Sequence, residues 1–146
     1  MQKSTAVEQA MLRFYDRFSA GDVEGFAQMI TAWQDAFIVG TDPGEWQDGR
    51  TTWIAGYEEQ ISAVPGVRLE AGALRGYAEG TLGWAADRPS FVLPDGSAIP
   101  TRLTTVLRLE DGAWKLVNAH FSIGVPNEEL FDLVQRWSHQ GHVSGG

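Results

Sequence analysis

Asp42 is the first residue in this chain whose type and setting suggest chemistry. It lies in the run Asp35-Ala-Phe-Ile-Val-Gly-Thr-Asp-Pro-Gly-Glu-Trp-Gln-Asp-Gly-Arg50, where a short apolar strand, Ala36 to Val39, runs into a Pro/Gly turn. A carboxylate at a strand end, beside Trp46 and short of water, can gain enough proton affinity to take and return a proton. The alternative is a plain Asp-Pro-Gly turn, in which the carboxylate only caps its own backbone.

His120 and Ser122 form a second group. Side chains on a strand alternate, so Trp114, Leu116, Asn118, His120 and Ser122 share one face, with Lys115 on the other. Such a face turns from apolar to polar along its length, and His120 could relay a proton or orient a ligand oxygen there. The alternatives are a buried histidine bonded to a neighbour, or a bulge that reverses the facing. Trp33, Trp46 and Trp84 are candidate apolar walls, with core packing as the plainer use of each. Arg102 could meet an acidic ligand or pair with Asp87, and Arg50 could tie down Asp48 or Glu45. No metal site is expected, because His139-x-x-His142 stands in a Gly-rich end without acidic or cysteine support. There is no Gly-x-Ser-x-Gly and no phosphate-cradling loop after a strand, so no cofactor is implied.

These residues need elements to hold them. Val7, Ala10, Met11, Phe14 and Phe18 recur at helical spacing from about residue 4 to 20, and Gly21 ends that helix. Asp22 can cap a shorter one carrying Val23, Phe26, Ala27 and Ile30. After the Asp42 turn, Thr51 or Thr52 can cap a third, with Trp53, Ile54, Tyr57 and Ile61 on its apolar face and Pro65-Gly66 as its stop. From Val67 the period changes to that of strands. Asp95-Gly96 and Asp111-Gly112 are strong hairpin signals and Glu79-Gly80 a weaker one. They divide the second half into strands over 67–78, 81–93, 99–110 and 113–124. Pro126 then opens a final helix with Leu130, Leu133, Val134 and Trp137 on one face, and residues 139–146 read as a frayed tail. The expected fold is α+β: three N-terminal helices on the concave face of a curved antiparallel sheet, closed into a cone, with a short C-terminal helix. The cone's open mouth would hold a ligand.

Composition bounds the partners. The 146 residues suit one domain, 1–146, and 43% hydrophobic content with six Trp and seven Phe supports a packed core. A formal charge of −8 argues against nucleic acid and against an anionic membrane surface. No cysteine means no disulfide, thiolate metal site or Cys nucleophile. Residues 1–9 carry no apolar run of signal-peptide length, and the expected location is cytoplasmic.

Three stretches resemble the nuclear transport factor 2-like superfamily, in its SnoaL-like and ketosteroid-isomerase-like members. They are Phe14 to Phe26, a helix closing on Gly-Asp; Asp35 to Arg50, with Asp-Pro after the first strand; and Asp111-Gly-Ala-Trp-Lys-Leu-Val-Asn-Ala-His-Phe-Ser122. The resemblance implies a homodimer formed through the outer sheet face, with Val117, Ala119, Phe121 and Ile123 as candidates. It also places Asp42 where ketosteroid isomerases keep their general base. Both oxyanion positions depart from that pattern. Phe14 stands where a tyrosine is found, Tyr15 lies about 100° further round the helix, and Thr105 replaces the second acid. A base without those donors forgoes a large electrostatic contribution, so steroid isomerisation is not the expected activity. The resemblance implies a protein that binds an apolar small molecule. Asp42 and His120 would serve as an acid–base pair, and Phe14, Tyr15, Phe18, Trp33, Trp46, Trp84, Arg102 and Ser122 would surround a hydrophobic carbonyl or hydroxyl compound. Cyclase, isomerase or dehydratase-like chemistry would suit that site. A non-catalytic dimeric binding or interaction module of the same fold is the alternative.

Overall fold

The computed structural model describes residues 1–143, without the side chains of His142 and Val143. A two-residue strand, β1 (Gln2–Lys3), leads into α1 (Thr5–Ala20). The Ser4 hydroxyl caps that helix by accepting from the Val7 N–H at 3.2 Å. Val7, Ala10, Met11, Phe14 and Phe18 are buried together, as their spacing predicts, and Tyr15 is buried beside them. α2 (Val23–Met29) starts at Asp22, whose carboxylate accepts from Gly25 N–H at 2.9 Å. Two cations close its far end: Arg50 donates to the carbonyls of Ala27 (2.9 Å) and Thr31 (3.0 Å), and Lys115 to that of Gln28. Carbonyls left free at a helix C-terminus attract such charges. Arg50 therefore holds backbone, and neither Asp48 nor Glu45 is its partner.

The hairpin β2 (Phe37–Val39) and β3 (Trp46–Asp48) follows, then α3 (Arg50–Ala63). Gly49, rather than either threonine, stands at the cap of α3, without a side-chain bond. The remaining strands are β4 (Arg68–Glu70), β5 (Arg75–Glu79), β6 (Leu82–Asp87), β7 (Ser90–Val92), β8 (Ala98–Pro100), β9 (Arg102–Glu110) and β10 (Ala113–Ser122), before α4 (Asn127–Val143). The main sheet runs β1-β5-β6-β9-β10-β2-β3, antiparallel throughout except where β2 lies parallel to β10. A second sheet runs β4-β7-β8. All three predicted hairpin turns fall between paired strands.

Three of the four long strands expected from the sequence are instead broken at one level. Residues 71–74, Arg88-Pro89 and Thr101 interrupt them, and the β4-β7-β8 sheet folds over from the main one. Pro89 has no N–H for a ladder, and its carbonyl accepts from both the N–H and the hydroxyl of Thr101. Asp87 fixes the corner: its buried carboxylate accepts from the N–H groups of Gly72, Ala73 and Arg88 and from the Tyr15 hydroxyl at 2.9 Å. Arg102 is not its partner.

One bulge decides the facing of β10. The register with β9 slips between Leu116 and Asn118, leaving Val117 without an opposite residue. The Thr105 hydroxyl secures the slip by donating to the Asn118 carbonyl at 2.6 Å. Leu116 points inward, but beyond the bulge the inward residues are Ala119 and Phe121. The shared inner face expected for Leu116, Asn118, His120 and Ser122 is thus split, and Ala119 and Phe121 belong to the core rather than the outer surface.

The helices pack on the concave face, and about 1.5–3 kcal/mol for each fully buried large side chain drives that packing. α4 continues to Val143, where a frayed end was expected from residue 139, and it leaves Leu130, Phe131, Val134 and Trp137 exposed. Residues 144–146 lie outside the described part. Among the described residues no helix is long and apolar enough to cross a membrane.

Candidate functional site

Between α1, α3, β2 and β10 the core leaves a cavity of about 370 Å³, within the size range of small-molecule sites. Phe14, Phe18 and Phe26 from the first two helices, Trp53 and Tyr57 from α3, and Phe121 from β10 supply its aromatic wall. The rings touch one another: Phe26 and Tyr57 stack with centroids 3.9 Å apart, and Phe14 lies 5.3 Å from Phe26. A neighbouring hollow of about 290 Å³ shares Phe18, Ile38, Gly40, Glu45, Gln60 and Phe121 with it and continues to Val67, Leu93 and Ile99. The two make one cleft that opens beside the β2–β3 hairpin.

The polar groups of this cleft come from β3 and its turn and from α3. Gln47 lies across Gly56 so closely that a Cβ there would sit 2.0 Å from its amide nitrogen. Glu45 lies across Gly40 in the same way, its carboxylate 1.9 Å from where a Cβ would stand. Glycine at 40 and 56 thus gives these side chains room to lie along the wall. Glu59 and Gln60 complete the rim. Among the described residues, no Lys, Arg or His lines either hollow.

Deep in the wall, the donors differ in commitment. The Tyr57 hydroxyl donates to the Phe18 carbonyl at 2.7 Å. Burial pushes its pKa up and the nearby Asp22 charge adds to the rise, so it stays protonated and committed. The Trp53 indole N–H is buried and has no acceptor. An unpaired buried donor costs roughly 1–3 kcal/mol, which a bound acceptor would recover.

The residues expected around a site are scattered by comparison. Phe14 and Phe18 line the cavity. Tyr15 faces the Asp87 corner instead; burial first, and the Asp87 charge next, push its pKa far above the usual tyrosine range. Asp42 is exposed and accepts from the Gly44 N–H at 2.8 Å, while its carbonyl accepts from Glu45 N–H at 2.9 Å, the geometry of a turn cap. His120 is exposed on the outer face of the sheet, between Thr104 and Val39. Asp42 and His120 therefore do not meet in the cavity, the first because its turn points outward and the second because of the Val117 bulge. Ser122 shares the outer face and accepts from Arg102 Nε at 3.1 Å.

Trp46 is 62% exposed, stacks on Phe37 and donates to Asp48 at 3.1 Å, so it flanks the hairpin and lines neither hollow. Trp33 is also exposed. Trp84 packs on Tyr77 on the outer face, with centroids 6.0 Å apart. His139 is exposed on α4, and the His142 side chain lies outside the described residues.

The sequence reading passed over Gln47, Glu59 and Gln60, and it treated Glu45 only as a possible partner of Arg50 and Trp53 and Tyr57 only as a helix face. Two signals were available. Glu45-Trp46-Gln47-Asp48 alternates with period two, so Gln47 must face opposite to Trp46. Trp53, Gly56, Tyr57 and Gln60 repeat at helical spacing, with a glycine among bulky neighbours.

A curved sheet wrapped on three helices around an aromatic cavity defines a cone-shaped small-domain class. The family model for the SnoaL-like domain matches residues 7–126, and the chain belongs to that family. Among solved structures the chain resembles an NTF2-like protein of unknown function from Pseudomonas putida, with a TM-score of 0.75, 19% identity and coverage of 85% of this chain and 91% of that one. It is also similar to a candidate calcium/calmodulin-dependent protein kinase type II association domain from Thiobacillus denitrificans (TM-score 0.70, 21% identity, 81% and 94% coverage). A candidate dehydratase of the NTF2-like family from Streptomyces avermitilis matches with a TM-score of 0.71, 16% identity and 83% and 96% coverage. At these identities the likeness shows the fold alone. No curated protein matches the chain.

Proposed function

We propose that this protein binds an apolar small molecule carrying a carbonyl or hydroxyl oxygen, and that the aromatic cleft is its site. The observation that supports this most is the aromatic cavity itself, in whose wall Trp53 carries a buried and unpaired N–H. A ligand oxygen placed there would satisfy the donor while the ligand body covers the surrounding rings. Acid–base turnover in this cleft falls to Glu45, which borders both hollows and, like Glu59, has no ion-pair partner among the described residues. Cyclase, isomerase or dehydratase-like steps need only such a base and a polarised oxygen. The non-catalytic reading is favoured by one specific fact. Phe14 and Thr105 occupy the two oxyanion positions, and Thr105 is already committed to Asn118.

We further propose that the protein acts as a homodimer through the outer sheet face, where Leu82, Trp84 and Val106 are partly exposed. Light scattering is expected to give twice the 16.0 kDa chain mass, and a monomer at micromolar concentration would contradict it. For the cleft, Ile38→Trp should fill the space beside Phe121. Apolar ketones and alcohols are expected to raise the melting temperature of the native protein with the logarithm of ligand concentration once that exceeds the Kd, and to lose that effect in the filled variant. Equal stabilisation of both proteins would place binding elsewhere.

A further inference from the structure

The charge around the cleft carries a more specific reading, which rests on the binding function just proposed. Its two acids, Glu45 and Glu59, stand at the rim with no basic residue in the lining. Glu45 is held there by construction. Its backbone carbonyl accepts from the Gly40 N–H at 2.7 Å, and its side chain then folds back over Gly40, where only glycine leaves room. No arginine or lysine neutralises it within the described residues. Just inside the rim stand aromatic rings, whose faces attract cations through their quadrupoles. The chain as a whole carries a formal charge of −8, which raises the local concentration of cations at such a mouth. An anionic ligand would meet two carboxylates and no counter-charge. A neutral one would leave the Glu45 charge without a counter-charge.

We infer that the ligand is an amphipathic amine, an amino ketone or amino alcohol on an apolar body, with its ammonium group on Glu45 and its oxygen on the Trp53 N–H. The two anchors differ in place: Glu45 borders both hollows, whereas Trp53 borders only the larger one. Glu45 is exposed, so its ion pair is worth no more than a surface one, up to about fivefold in affinity. Ring faces add up to roughly a further tenfold.

The test uses three probes with one body and different heads: 2-naphthylmethylammonium, 2-naphthalenemethanol and 2-naphthoate. Calorimetry at neutral pH and low salt is expected to rank them ammonium, alcohol, carboxylate, with the first about tenfold tighter than the second. Glu45→Gln should cut the ammonium advantage by about fivefold and leave the alcohol within about twofold of native. Gly40→Ala, which pushes the carboxylate off its seat, should act in the same direction. If the alcohol or carboxylate binds native protein as tightly as the ammonium, or if Glu45→Gln leaves their ratio unchanged, the charge inference fails while the cleft remains a binding site. If none of the three binds, the binding function itself fails, and the inference with it.

Discussion

Two carboxylates, Asp87 and Glu45, are treated in opposite ways by this fold. Asp87 is 6% exposed and accepts from three backbone N–H groups and the Tyr15 hydroxyl. Glu45 lies beside an open cleft with no side-chain bond, held only by the shape of Gly40. Desolvating a carboxylate is expensive, so a buried one survives only when its lone pairs are filled. Asp87 meets that condition and pins two of the chain breaks, 71–74 and Arg88-Pro89, to α1. Glu45 avoids it by staying at the rim, which keeps its charge available. Saturation marks the structural group and vacancy marks the group free to meet a ligand. The same contrast separates the Tyr57 hydroxyl, committed to Phe18, from the unpaired Trp53 N–H.

Replacing Asp87 should have the largest effect. Asp87→Ala strands three N–H groups and a phenol, at a cost of roughly 3–5 kcal/mol in urea unfolding. A loss below about 1 kcal/mol would erase the structural side of the contrast. Tyr15→Phe removes one donor from that cluster and should cost about 1–2 kcal/mol. It should also alter the alkaline limb. Because Tyr15 has a folded-state pKa raised above the ordinary 10.0, its contribution is complete below about pH 10 and is lost as the pH climbs through the folded value. Native stability should therefore fall above pH 10, and the Phe variant should fall less steeply. Tyr57, raised in the same direction, keeps part of the slope in both proteins.

The cleft side should answer with smaller changes in stability. Trp53→Phe deletes an unpaired donor but trims a buried indole to a phenyl, so unfolding free energy should fall by about 1–2 kcal/mol while ligand affinity drops. Glu45→Gln should shift stability by no more than about 0.5 kcal/mol, as an exposed and unbonded group does. A larger loss from Glu45→Gln would mean that the carboxylate supports the fold after all.

The architecture was legible because its signals are local. Helical spacing in α1 and α3, the Asp-Gly hairpins and Pro126 each constrain a few neighbouring residues. Strand breaks were not, since Arg88-Pro89 ends a ladder only once Asp87 gathers Gly72 and Ala73 from another strand. The site depended on one residue. A single unpaired Val117 turns His120 and Ser122 outward and Phe121 inward, and nothing in Leu116-Val117-Asn118 announces a bulge that Thr105 secures from the next strand. Asp42 misled for a different reason. An Asp-Pro-Gly turn reads alike whether its carboxylate serves chemistry or caps Gly44. Glu45, three residues on, gains its place only from the close approach to Gly40.

The indole N–H resonance of Trp53 tests the central claim most directly. In nitrogen-labelled protein it is identified by its absence from the Trp53→Phe variant. Titration with 2-naphthalenemethanol is expected to move that resonance progressively to saturation, in step with calorimetric binding, and to leave it unmoved in Ile38→Trp. Saturable binding with the Trp53 signal unshifted, or with movement confined to the indoles of Trp33, Trp46 or Trp137, would contradict the cleft as the site.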